Sequence, residues 1–168
     1  PKDIVCTSSI ISISYKDLLN DLRYQQKILL DDGKIRLKVL KIDKKSQSAT
    51  CTVIAGGYLT SHKGVNFPRI PLKIQSLTPK DRSDLKFILA HDFNFIALSF
   101  VRSAKDINLL KSIVIKRKKS IKILAKIEKP EAIESIEEIL DICVGVMVAR
   151  GDLGVETSAF EIPILQKR

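Results

Sequence analysis

The sequence predicts an α/β chain with a β-rich first part, residues 1–76, and a second part, residues 77–168, in which strands and helices alternate. Three observations predict it. Residues 1–76 contain no glutamate and many short β-prone runs. Near residue 77 the apolar period changes from alternation to a helical spacing. From there strand and helix alternate three times, with crossovers long enough for parallel strands.

The first part opens its regular structure with "RYQQKILLDDGKIRLKVLKID", a predicted hairpin. Ile35, Leu37 and Val39 alternate with Arg36 and Lys38, and Asp32-Gly33 favours a tight turn. "SATCTVIAGGYLT" supplies another strand, ending at Gly56-Gly57 where the chain bends at low cost. In the second part, "LTPKDRSDLKFILAHD" starts a helix with Thr78 as N-cap, Pro79 at the first helical position and Asp81 three residues past the cap. Leu85, Ile88 and Leu89 form its apolar stripe. The strand "FIALSFV" follows, then a helix from about Ala104 carrying Ile107, Leu110 and Val114 on one face. Its trailing "KRKK" suits the negative end of a helix dipole. A second strand, "IKILAKIE", leads into "KPEAIESIEEILD", expected as one helix opened by Pro130, with Ile133, Ile136 and Leu140 inward and Glu134, Glu137 and Glu138 toward water. "VGVMVA" is the third strand. The strands are nearly continuous in apolar residues, which predicts cover on both sheet faces. The pattern allows an open doubly wound sheet or part of a (β/α)8 barrel, and in both a ligand binds beyond the carboxyl ends of the strands.

Composition removes several function classes. No stretch nears the roughly eighteen uninterrupted apolar residues of a membrane span, and the first residues lack a signal-peptide pattern. Cys6, Cys51 and Cys143 are an odd number without a close pair, which argues against a disulfide framework or a zinc knuckle and fits a reducing cytoplasm. The formal charge of +10 invites a nucleic-acid reading. The single dense basic run, however, is not interleaved with the nine aromatic residues, so no stacking platform is formed and no nucleic-acid partner is expected.

Lys126 and Glu128 share one face at the carboxyl end of their predicted strand, because strand side chains alternate. Asp152 follows the next strand by a short turn. Two carboxylates suit a hard cation such as Mg2+, and an adjacent lysine stabilises negative charge developing on an oxygen. Gly151 and Gly154 allow close backbone approach to a ligand. The same residues admit a structural account: Lys126 paired with Glu128 or another acid at the sheet edge, Asp152 capping a helix, and glycines that only turn the chain. "GGYLTSHKGVNFP" lacks the glycine spacing of a P-loop, although Lys63 can still reach a phosphate from a hairpin. His62 and His91 share no metal-ligand spacing, Met147 reads as core, and Ser99 has no nucleophile elbow.

"ILLDDGKIRLKVL", "SHKGVNFP", "LTPKDRSDLKF", "FIALSFVR", "KILAKIE", "GVMVARGDLGVE" and "EIPILQKR" together resemble the pyruvate kinase family, in its order and close to its spacing, over essentially all 168 residues. The resemblance implies a partial (β/α)8 TIM barrel, about strands 4–6, with an inserted small β-barrel-like lid domain. Residues 1–76 would be that lid, expected to be incomplete at its N-terminus, and residues 77–168 the partial catalytic barrel. The implied activity is transfer of the phosphoryl group of phosphoenolpyruvate to ADP, giving pyruvate and ATP, the last step of glycolysis. Mg2+ (or Mn2+) and K+ are the implied cofactors, the K+ ligands lying outside this segment, and a cytoplasmic homotetramer is the implied assembly. By the same resemblance Lys126 is the catalytic lysine and also contacts substrate, Glu128 and Asp152 hold the metal, and Ser99, Phe100, Gly151 and Asp152 bind substrate. Lys63 approaches the nucleotide phosphates, and Arg150 is structural.

This chain departs from that family's usual residues at Lys129 (asparagine), Val144 (aspartate), His62 (lysine), Arg69 (glycine) and Asn94 (aspartate). An alternative reading is therefore a weakly active or inactive relative that binds or regulates. The chain begins at Pro1 and stops within a helix-like pattern, so it is expected to be an internal piece, and three sequential strands alone are expected to be inactive.

Overall fold

The computed structural model describes residues 5–68, 70, 76–158 and 160–168; Arg69 lies outside them. The chain divides into two compact units, Pro1–Lys73 and Ile74–Arg168. In the first, a one-turn helix α1 (Leu18–Asp21) precedes strands β1 (Lys27–Leu30), β2 (Ile35–Asp43), β3 (Ser48–Ala55) and β4 (Val65–Asn66). They form an antiparallel sheet in the order β3-β2-β1-β4. Leu30 pairs with Ile35, so the hairpin turns within residues 31–34. Asp31, Asp32 and Gly33 are successive left-handed residues, with φ of 48°, 56° and 83°. Aspartate and glycine tolerate that region better than other residues, which is why the turn carries Asp-Asp-Gly. Ile28, Leu30, Ile35, Val39 and Phe67 pack beneath the sheet with Leu22.

An ion network pins the turn. The Asp31 amide donates to the Gly64 carbonyl at 3.1 Å, and its carboxylate accepts from Lys63 at 2.9 Å and Lys34 at 3.0 Å. The hydrogen bond from Lys63, with that from Lys34, lowers the Asp31 carboxyl below its ordinary value, and Asp31 in turn raises the Lys63 ammonium.

The second unit begins with α2 (Pro79–Ala90). Its Thr78 hydroxyl accepts from the Asp81 amide at 3.2 Å, while the Asp81 carboxylate accepts from the Thr78 amide at 2.8 Å, a reciprocal capping box. Strand β5 (Phe95–Leu98), helix α3 (Ala104–Lys116), strand β6 (Lys122–Ile127), helices α4 (Pro130–Glu134) and α5 (Ile136–Leu140), strand β7 (Gly145–Val148), and helices α6 (Arg150–Glu156) and α7 (Ile162–Lys167) follow. The strands pair in parallel in the order β5-β6-β7, and among the described residues this sheet does not close. The chain is thus an α/β fold holding three parallel strands of a barrel and a lid-like antiparallel sheet.

Several local expectations change, and Met147, read as core, is 47% exposed. Cover is one-sided: Ile96, Leu98, Ile123, Ala125 and Ile127 are buried with Ile107, Leu110 and Val114 of α3, whereas Phe95, Ala97 and Lys122 on the alternate positions are exposed. The helices lie against one pleat face, and the other keeps its apolar side chains partly open. The segment "FIALSFV" is strand only to Leu98, because Phe100 turns into the left-handed region. The helix predicted after Pro130 breaks at Ser135 (φ −102°, ψ 18°), a weak helix former. The break shifts the phase, so Ile139 is buried and Leu140 is exposed.

Thr78→Ala should cost about 1 kcal/mol in urea unfolding, the usual worth of such a cap; a loss within error of zero would contradict the capping account. Because the Asp31 carboxyl is lowered in the folded state, its stabilisation is present above the unfolded value near 3.8 and is lost as pH falls through the folded value. Asp31→Asn should therefore lower the urea midpoint at neutral pH, and that deficit should shrink at acidic pH as the folded carboxyl becomes protonated. An equal deficit at both pH values would rule out the ion network as its source.

Candidate active site

Parallel pairing brings three strand ends to one edge. Leu98 pairs with Ala125 and Ile127 with Val148, and the Ala149 amide extends the ladder to the Ile127 carbonyl at 3.2 Å. Ser99 and Phe100, Lys126 and Glu128, and the Ala149–Asp152 turn accordingly leave the sheet at the same carboxyl edge.

The centre of this edge is Glu128, only 2% exposed. One carboxylate oxygen, Oε2, accepts the Phe100 amide at 2.8 Å, and the other, Oε1, contacts the Lys126 ammonium. Lys126 Nζ also donates to the Ser99 hydroxyl at 3.3 Å. Phe100 adopts φ 54°, an outlier for a bulky side chain, and that backbone turn presents its N–H to Glu128 while its ring remains exposed. A buried carboxylate is tolerated because both oxygens are engaged, one by a cation. Lys126, Glu128, Ser99 and Phe100 therefore form one connected cluster.

Asp152 is the third residue of α6, whose N-cap is Ala149, so it does not cap the helix. Its carboxylate is exposed and, among the described residues, makes no hydrogen bond or ion pair. The amides of Gly151 and Asp152 belong to the first helical turn, where N–H groups have no intrahelical acceptor. A Cβ at Gly151 would meet nothing within 4 Å, so packing does not require glycine there. Among the described residues no group of three or more His, Cys, Asp or Glu is arranged to hold a metal. An ion shared by Glu128 and Asp152 would take its remaining oxygens from water or substrate.

A second charged pair was not foreseen. Lys129 Nζ donates to Glu156 Oε1 at 2.5 Å, with the side chains 17% and 3% exposed. Glu156 stands one helical turn beyond Asp152, and no local spacing in the sequence links it to Lys129. Arg102 lies 3.8 Å from Asp106, whose carboxylate also accepts the Arg102 and Ser103 amides at the start of α3. Arg150 is exposed at the first position of α6. Lys63 belongs to the other unit, where it is tied to Asp31. Cys6, Cys51 and Cys143 are free thiols, and burial pushes that of Cys51 up.

The family model "Pyruvate kinase, barrel domain" matches residues 2–168. The chain is 46% identical over 167 residues to pyruvate kinase 2 of Synechocystis sp., covering 99% of this chain and 28% of that protein. It is 42% identical over 166 residues to the pyruvate kinase of Geobacillus stearothermophilus, covering 98% of this chain and 28% of the relative. The Clostridium perfringens pyruvate kinase is also 42% identical, over 98% of this chain and 35% of its own length. The chain thus spans about a third or less of these relatives, and the likeness runs through both of its units. A match that continuous, at that identity, leaves one conclusion: the chain belongs to the pyruvate kinase family.

Proposed function

We propose that the protein carrying this chain transfers the phosphoryl group of phosphoenolpyruvate to ADP, giving pyruvate and ATP. The observation that carries this reading is the Lys126–Glu128 pair at the strand edge, its carboxylate buried and accepting the Phe100 amide. In the reaction an oxygen of the ADP β-phosphate attacks phosphorus, the bond from phosphorus to the enol oxygen breaks, and its electron pair stays on that oxygen. Protonation of the resulting enolate at carbon completes pyruvate. Lys126 supplies fixed positive charge where that oxygen becomes negative, and charge placed in advance costs no reorganisation during the step. Ser99 accepts a hydrogen bond from Lys126 and holds the ammonium on this side of the strand.

The donor set fits Mg2+ or Mn2+. Glu128 retains lone pairs beyond those used by Phe100 and Lys126, and Asp152 offers an exposed carboxylate. When bound, such an ion would neutralise phosphoryl charge. Gly151 and Asp152 would receive the substrate carboxylate through their first-turn amides, and Phe100 would line the floor. Residues 1–76 would act as the lid, with Lys63 exchanging part of its hold on Asp31 for a nucleotide phosphate. No residue of this chain is proposed as a K+ ligand. Family membership supports assembly as a homotetramer, and free cysteines support action in the reducing cytoplasm. No helix among the described residues is long and apolar enough to cross a membrane.

A weakly active, regulatory relative is the second reading, motivated by Lys129 beside the site. The Lys129 ammonium bonded to Glu156 favours turnover instead, since its charge is answered there rather than at Glu128.

Lys126→Ala in the full-length protein should lower kcat for ADP-dependent pyruvate formation by about 10²–10³-fold, the range for loss of one oxyanion-stabilising group, with the circular dichroism spectrum retained. Undiminished turnover in a folded variant would reject the role given to Lys126.

A further inference from the structure

Helix α6 needs an external anchor. It has seven residues, two of them the glycines 151 and 154, and so short a helix with two poor helix formers is marginal by itself. Leu153 is fully buried and sets which side of the helix faces the core, but an apolar contact tolerates small rotations about the helix axis. The Lys129–Glu156 hydrogen bond does have direction. Lys129 follows Glu128 at the end of β6, and Glu156 follows Asp152 by four residues on the same helix face. The bond therefore joins the neighbour of one candidate metal-binding acid to the helical companion of the other. Both side chains are largely withdrawn from water, so the pair is held against solvent competition.

We propose that Lys129 and Glu156 are positioning residues whose buried ion pair straps α6 to the end of β6 and thereby fixes Asp152 relative to Glu128, an inference that rests on the proposed function. Neither residue touches substrate in this role. Buried ion pairs are often replaceable by apolar groups without loss of stability, so directional placement, rather than stability, is what the pair supplies.

The test is Mn2+ binding to the full-length protein without substrate or nucleotide, followed by the electron paramagnetic resonance signal of free Mn2+. The paired substitution Lys129→Met with Glu156→Met keeps the volume apolar and removes both charges of the pair together. It should fold, yet weaken Mn2+ binding about 10–100-fold, the range for losing a group that orients a metal ligand. Lys129→Arg, which can renew the bond, should retain most of the affinity. If the paired variant does not fold, Glu156→Met alone, which removes the acceptor, takes its place with the same expected direction. Parental affinity in the paired variant, or in Glu156→Met where that is the one compared, would overturn the strap alone, as would an Arg variant as weak as the variant compared with it. Failure of the parent protein to bind Mn2+ would overturn both the strap and the metal-dependent reading on which it rests.

Discussion

A buried carboxylate organises the second unit. Glu128 is almost wholly removed from water at the end of β6, where an unpaired charge would cost several kcal/mol. Two neighbours offset that cost. The Lys126 ammonium provides opposite charge, and the Phe100 amide provides a hydrogen bond worth about 1.5–3 kcal/mol to a charged acceptor. That bond is comparable with the roughly 1–3 kcal/mol of holding a non-glycine residue in a left-handed conformation. The strain at Phe100 is thus accounted for by the charge it serves, and the strand β5 must end at Leu98 so that the turn can occur.

The same constraint explains why chemistry and packing separate across the sheet. Ile123, Ala125 and Ile127 point into the helix-covered core, so the alternate positions Leu124 and Lys126 fall on the less covered face. The period of two that makes one face a core makes the other available for an ammonium group. In the first unit the arrangement is similar in kind: the left-handed turn at Asp31 places a carboxylate where two lysines converge, and the resulting network holds the loop that carries Lys63.

Features governed by short-range chemistry were legible in the sequence. Thr78, Pro79 and Asp81 announce a capped helix start, Asp32-Gly33 a hairpin, and Lys126 with Glu128 a shared strand face; each involves residues within a few positions of one another. Ile107, Leu110 and Val114 likewise follow from helical spacing and are buried as that spacing requires. The contacts that no local pattern encodes span the fold. Lys129 and Glu156 are 27 residues apart, and Phe100 meets Glu128 across 28, so neither is visible before the strands are paired. The break at Ser135 is hidden for another reason: a serine inside an amphipathic run only weakly disfavours helix, and the packing of Ile139 decides the phase.

On the proposed reading, Glu128 and Asp152 serve one divalent ion beside Lys126. The most direct measurement is the anomalous scattering of Mn2+ in crystals of the full-length protein. A single strong peak within about 2.0–2.3 Å of a carboxylate oxygen of each acid is expected, near the distances usual for hard cations. A peak bound elsewhere, or Asp152 directed away from an ion held by Glu128, would contradict it.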